Sequence, residues 1–222
     1  MGIKLLAWAA VFFLLALPTQ SRADTIYTNL DGGTTYNCCG GWGVGNFGDI
    51  YDIAMPFTVP VGPAYSLTQI EIALSLFGGG TNSALVRLLN DSGGLPGGSI
   101  DSWGLGPLPG FGFPGLVSTI QSSQTISGIA GITLSGGTQY WLAAFPGDPS
   151  TQATWNLNTT GASGPFAVST NDGSTWRSDN STLGAFAVYG NPVSGVPEPS
   201  TMLLLGTGLA GLFVCRRRAA RS

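Results

Sequence analysis

The chain has 222 residues, 43 % of them hydrophobic and only 9 % charged, with a formal net charge of −3. Its 35 glycines and 14 prolines argue against a bundle of long helices, since both residue types break helices, and one domain of moderate size is expected. Histidine is absent, which removes the commonest general base and metal ligand, and with them the usual serine and cysteine triads and His-based zinc sites.

Residues 1–23 read as a secretory signal peptide. Lys4 precedes thirteen consecutive apolar residues, Leu5 to Leu17, and the breaker Pro18 is followed by Ser21-Arg22-Ala23. Small residues at the last and third-from-last positions before a cut place the start of the mature chain at Asp24.

Residues 24–190 are expected to form one extracellular all-β domain. Between residues 24 and 195 lie 31 of the glycines, and two basic residues, Arg87 and Arg177, stand against ten acids for a formal charge of −8. Nucleic acid is excluded as a partner on this charge, because counterion release requires clustered Lys or Arg.

Cys38 and Cys39 are adjacent within what reads as a Gly-rich turn. Neighbouring Cα atoms lie ~3.8 Å apart, under the ~4.4 Å lower bound of ordinary disulfides. A strained vicinal disulfide between Cys38 and Cys39 is the leading reading in an exported chain, with free thiols or an intermolecular bridge as alternatives. A catalytic cysteine would need a base beside it, and the chain has no His.

The apolar pattern then reads strand after strand. In Leu67 to Phe77, Ile70, Ile72, Leu74 and Leu76 alternate with small or polar residues, which turns one apolar face to a core. Ala84 to Leu89 follows a Gly78-Gly79-Gly80 turn, and Asn90-Asp91-Ser92-Gly93-Gly94 closes it. Gly104 to Gly115, with three prolines and five glycines in twelve residues, reads as a long surface loop that tucks down Leu105, Leu108, Phe111 and Phe113. Further strands are expected at Ile132–Leu134, Gln139–Phe145, Ala153–Leu157, Phe166–Ser169 and Leu183–Tyr189. Short strands divided by turn residues predict an antiparallel β-sandwich of jelly-roll kind.

Carboxylates offer the only acid and base. Asp49, Asp52, Asp91, Asp148, Asp172 and Asp179 are candidates for the carboxyl pair of a glycosidase, but nearly all sit in turns, which Asp favours for its own geometry. The loops Asn90-Asp91-Ser92 and Asn171-Asp172-Gly173-Ser174 offer oxygen ligands for Ca2+ without the spaced acids of a recognised calcium loop. No catalytic or metal-binding residue is assigned and no cofactor is expected, Ca2+ being the one ion considered. Beyond the leader five tryptophans remain, Trp42, Trp103, Trp141, Trp155 and Trp176. Trp141 lies in an apolar strand and is expected in the core. Trp155, beside Asn156, and Trp176, close after Asp172, are the candidate sugar contacts, since exposed aromatic rings stack on pyranose faces.

Residues 191–200 read as a linker and residues 201–215 as an apolar transmembrane segment. Fifteen residues at ~1.5 Å rise span roughly 22 Å, short of the ~30 Å hydrocarbon core, and the basic tail of residues 216–222 would remain cytoplasmic by the positive-inside rule. The sequence Val196-Pro197-Glu198-Pro199-Ser200-Thr201, a Gly-punctuated apolar stretch and then Arg216-Arg217-Arg218 closely resembles the PEP-CTERM sorting tail of Gram-negative bacteria. The resemblance implies a membrane-embedded exosortase as partner, processing near Pro197-Glu198-Pro199, and delivery to the cell surface in bacteria that make exopolysaccharide. Two prolines hold the motif extended and out of the helix, and Glu198 is a lone charge at the membrane boundary.

A looser resemblance covers residues 55–190. Tyr65-Ser66-Leu67-Thr68-Gln69-Ile70, Asn90 through Gly97, Thr138-Gln139-Tyr140-Trp141-Leu142 and Ala153-Thr154-Trp155-Asn156 are similar to the choice-of-anchor R domains, β-rich extracellular modules attached to several kinds of surface anchor. The two resemblances imply a non-enzymatic surface or matrix protein associated with exopolysaccharide. The alternative is a carbohydrate-binding module that uses loop tryptophans, with a glycan-cleaving enzyme third.

Overall fold

A computed structural model describes residues 23–32, 36–111, 124–126 and 129–193, those at 38, 39, 124 and 125 by backbone alone. Among these residues there are fourteen strands and no helix. The first seven are β1 (Asp24–Thr28), β2 (Asn37–Asn46), β3 (Ile50–Thr58), β4 (Tyr65–Ile72), β5 (Leu74–Leu76), β6 (Ala84–Asp91) and β7 (Pro96–Leu105). The rest are β8 (Gln124–Ile126), β9 (Thr133–Leu134), β10 (Gln139–Pro146), β11 (Gln152–Leu157), β12 (Ser163–Ser169), β13 (Arg177–Thr182) and β14 (Phe186–Pro192).

Two curled antiparallel sheets of five and nine strands make the domain all-β, which fits the expected β-sandwich. The smaller runs β1-β14-β4-β8, with β9 also on β4; the larger runs β5-β11-β2-β3-β10-β6-β7, with β12 on β3 and β13 on β12. Every strand pair is antiparallel. Period-two alternation builds the interior. In β10, Tyr140, Leu142 and Ala144 face Met55 and Phe57 of β3, Leu88 and Val86 of β6, and the smaller sheet's Ile70, Ile72, Phe186 and Val188. Phe186 anchors this core, with its ring 4.7 Å from Tyr27, 5.8 Å from Trp155 and 6.2 Å from Phe57.

The run expected as one strand, Leu67 to Phe77, is two. The chain leaves the smaller sheet at Ile72, passes through Ala73 and enters the larger sheet at Leu74. An unbroken alternation cannot reveal this, because the residues on either side of the crossing are all buried. The crossing is held by Asn156, whose backbone N–H and Nδ2 both donate to the Ala73 carbonyl while Nδ2 also donates to Ser75 Oγ.

The Gly-rich stretch around Cys38 and Cys39 is not a turn: its backbone belongs to β2, whose ladder with β11 jumps from Asn156–Gly41 to Leu157–Asn37, so that residues 38–40 bulge out of register. Gly41 lies so close to the β11 backbone that a Cβ there would strike the Trp155 carbonyl, whereas one on Gly40 would meet open space. In the expected loop at 104–115, Gly104 and Leu105 instead end β7, Leu108 is buried as expected, and Leu105 and Phe111 are half-buried. Phe113 lies outside the described residues, as do residues 1–22 of the signal segment and the apolar tail. Among the described residues no helix is long and apolar enough to cross a membrane.

Candidate functional site

β3 changes neighbours part-way along one edge. It pairs with β2 only at Ile50 and Tyr51, and from Asp52 to Ala54 the place is taken by β12. The larger sheet therefore forks, with β2 and β11 on one branch and β12 and β13 on the other. Along residues 37–44 the fork-side edge of β2 has no strand partner among the described residues.

An aromatic groove of about 510 Å3 opens at this fork. Register fixes one wall. Ile53 lies opposite Val168, which lies opposite Arg177, and Phe166 lies opposite Asp179; directly opposed residues share a face, so the inward face of β12 continues into a cation and an anion on edge strand β13. The Arg177 and Asp179 side chains approach to 3.9 Å and are largely exposed. Trp42 stands in the fork itself. Its ring lies 4.2 Å from that of Phe166, and its Nε1–H donates to the Thr182 carbonyl at 2.9 Å, so the indole is fixed while half-buried. Phe47 and Phe77, 37 % and 44 % exposed, extend the groove outward with Phe111 behind Phe77. Gly43 makes this possible, because a Cβ there would stand 2.9 Å from the Phe47 ring.

A second recess lies on the outward face of the larger sheet. The loop of residues 170–176 folds back over β3 and β10, where Gly173 N–H donates to Asp52 Oδ2 at 3.1 Å and to Ser169 Oγ at 2.9 Å. Asp172 holds φ 55° and pairs with Arg87 at 3.3 Å. The Arg87 guanidinium lies 3.9 Å from the centre of the Phe145 ring, a cation–π contact. Burial raises the Asp52 carboxyl to about 6 and Asp172 adds to the rise, against the opposing hydrogen bonds of Ser169 and Gly173 and the charge of Arg87.

The candidate residues named from sequence fall apart in space. Trp155 is fully buried and its Nε1–H donates to the Ala185 carbonyl at 3.0 Å, so it serves the core and presents no face to a sugar. Trp176 is half-buried, edge-on to Phe145 at 6.0 Å. Trp141 is buried, as expected, yet on the outward face with Ala54, Leu89 and Phe145 rather than between the sheets. Its Nε1–H donates to Asp91 at 2.8 Å, as does Gln139 Nε2. Desolvation pushes the Asp91 carboxyl up, but hydrogen bonds from Trp141, Gly94 and Gln139 outweigh it and hold the group below its ordinary value.

Among the described residues no three of the Cys, Asp and Glu side chains converge as metal ligands. The side chains of Cys38 and Cys39, together with Pro197, Glu198, Pro199, Arg216, Arg217 and Arg218, lie outside what the structure describes. Sequence reasoning missed Phe47, Phe77, Arg177 and Asp179 as groove residues; Arg177 and Asp179, two apart in a polar run, carried the only usable signal.

The tail is decided by comparison with known families. Residues 195–218 match the PEP-CTERM protein-sorting motif. No curated protein matches the chain. The PEP-CTERM match takes in Pro197-Glu198-Pro199, the apolar stretch and Arg216-Arg217-Arg218 together. A PEP-CTERM motif implies secretion, exosortase processing at the membrane and sorting to the bacterial cell surface.

Proposed function

We propose that the chain is a non-enzymatic surface or extracellular-matrix protein of a Gram-negative bacterium, delivered by exosortase and associated with the exopolysaccharide of the producing cell. The observation that carries this reading is the PEP-CTERM match at residues 195–218. Residues 1–23 act as the cleaved leader, residues 191–200 as the linker, 201–215 as the membrane segment held before processing, and 216–222 as the cytoplasmic stop. The β-domain between them is displayed. Its resemblance to choice-of-anchor R modules supports that role, as do its two antiparallel sheets, in which β1 pairs with β14 across the length of the domain.

The non-enzymatic reading draws support from the absence of His and from the engagement of Asp91 and Asp52 in structural hydrogen bonds. Mass spectrometry of the protein recovered from cell surface and medium tests the sorting reading. It expects a chain beginning at Asp24 and ending near Pro197-Glu198-Pro199. A surface-recovered chain that retains Arg216–Arg218 would overturn it.

A further inference from the structure

We propose that the aromatic groove at the fork is a carbohydrate-binding site, one that takes a short run of neutral pyranose residues. The inference rests on the proposed association with exopolysaccharide and assigns it a place on the molecule. Four observations support it.

The lining is predominantly flat and rigid. Trp42, Phe47, Tyr51, Phe77, Phe111 and Phe166 contribute rings, against Ile53 and Val168 as aliphatics. Aromatic rings offer large apolar area with few torsions to freeze, which suits the C–H face of a pyranose. A flexible acyl chain would sooner meet aliphatic walls.

The central ring is held in place before any ligand arrives. Trp42 is fixed on one side by Phe166 and at its edge by the Thr182 carbonyl, so binding does not have to order it, and preorganisation lowers the entropic cost of association. The same ring stands in the gap between β2 and β12, which argues against an added peptide strand: such a strand would have to displace it.

Donor and acceptor stand side by side at the mouth. Arg177 and Asp179 share a face of β13, are loosely paired at 3.9 Å and are exposed. Arg offers several N–H donors and Asp two acceptor oxygens, a combination matched to neighbouring hydroxyls, which both donate and accept. Their charges cancel locally, which favours a neutral sugar over an anionic one.

The size also fits. About 510 Å3 lies within the ordinary range of small-ligand sites. Arg87, the other basic residue of the domain, is committed to Asp172 and Phe145 and so leaves Arg177 as the cation at the groove.

The test uses the full chain reconstituted in lipid nanodiscs. Affinity electrophoresis would be run through gels cast with the exopolysaccharide of the producing cells, and calorimetry would use cellohexaose, xylohexaose, mannohexaose and maltohexaose as soluble probes, with decanoate as the apolar control. The wild type should be retarded by the polysaccharide and bind at least one hexaose. The double variant Phe47→Ala/Phe77→Ala should bind about tenfold more weakly. Arg177→Gln should also weaken binding while its thermal melting stays at the wild-type value, because that side chain is largely exposed, so the loss of binding is separated from the packing that Phe47 and Phe77 lose in the double variant. Retardation of the variants equal to that of the wild type would overturn the groove and leave the association with exopolysaccharide standing. Failure of polysaccharide and all four hexaoses to bind would overturn both. Saturable decanoate binding without any saccharide binding would identify the groove as an apolar-ligand site instead.

Discussion

Burial sets the Asp52 carboxyl at about 6, against 3.8 for an unperturbed aspartate. Between those values the folded domain holds a proton that the unfolded chain has released. The stabilisation from this group is thus fully present below about pH 4 and is lost as pH rises through about 6. Asp52→Asn keeps an acceptor for Gly173 N–H and removes the charge. Thermal melts of variant and wild type should coincide near pH 4, and at pH 7.5 the variant should be more stable by about 1–3 kcal/mol. Equal stability at pH 7.5 would show that solvent reaches the carboxylate. The titration of Asp52 could not be read from the sequence, where the residue is one of several turn-prone aspartates; only the register of β12 on β3 puts it beneath Gly173. Trp155 failed as a surface residue for a similar reason. Its neighbours in the chain gave no sign that Ala185 would pass over it.

At the scale of elements, Asn156 ties β11 to the point where the chain changes sheets, and its own carbonyl accepts from Ala185 N–H on the approach to β14. The side chain donates twice, and its Oδ1 has no partner among the described residues. Asn156→Ala should cost about 2 kcal/mol by removing both side-chain bonds, which leaves the buried Ser75 Oγ without this donor and the Ala73 carbonyl with the backbone N–H of residue 156 alone. Asn156→Asp should cost more, since it sets a buried carboxylate against the Ala73 carbonyl, which can only accept. Chemical denaturation of the two variants checks the order, and an Asp variant at least as stable as the Ala variant would refute the donor role. β6 was legible by its alternation, and β10 and β11 as short runs bounded by turn residues. β3 was missed because Pro56 demotes a central strand. It is accommodated beyond Ala54, where β12 has ended. β7 and β13 were missed because edge strands bear polar and glycine residues that alternate with nothing. The groove was hidden with them, since its wall includes β13.

For the whole molecule, the last described strand, β14, ends at Pro192, ahead of the matched tail at 195–218, and the core residues named above all precede that tail. Deleting residues 196–222 should therefore leave an exported, folded domain that is no longer retained at the inner membrane, checked by protease resistance of the periplasmic and secreted fractions. Insolubility and proteolysis of the truncated chain would show that tail and domain are not separate. Within the tail, Glu198→Gln leaves the apolar stretch intact and should accumulate uncut in the membrane, whereas replacing Arg216, Arg217, Arg218 and Arg221 with Ser should loosen its topology. Pulse-chase labelling with membrane fractionation separates the two. Processing of Glu198→Gln at the wild-type rate would exclude recognition through that carboxylate.

The pairing of β1 with β14 also governs when the domain can close. β14 occupies the interior of the smaller sheet, between β1 and β4, and Asp24 lies opposite Gly190. A chain threaded outward from its N-terminus thus delivers β1 long before the strand on which it docks. Until residues 186–192 are available the smaller sheet lacks its middle strand, although every strand of the larger sheet precedes them in the chain. A product ended before residue 186 would therefore lack both the middle of the smaller sheet and the matched sorting tail.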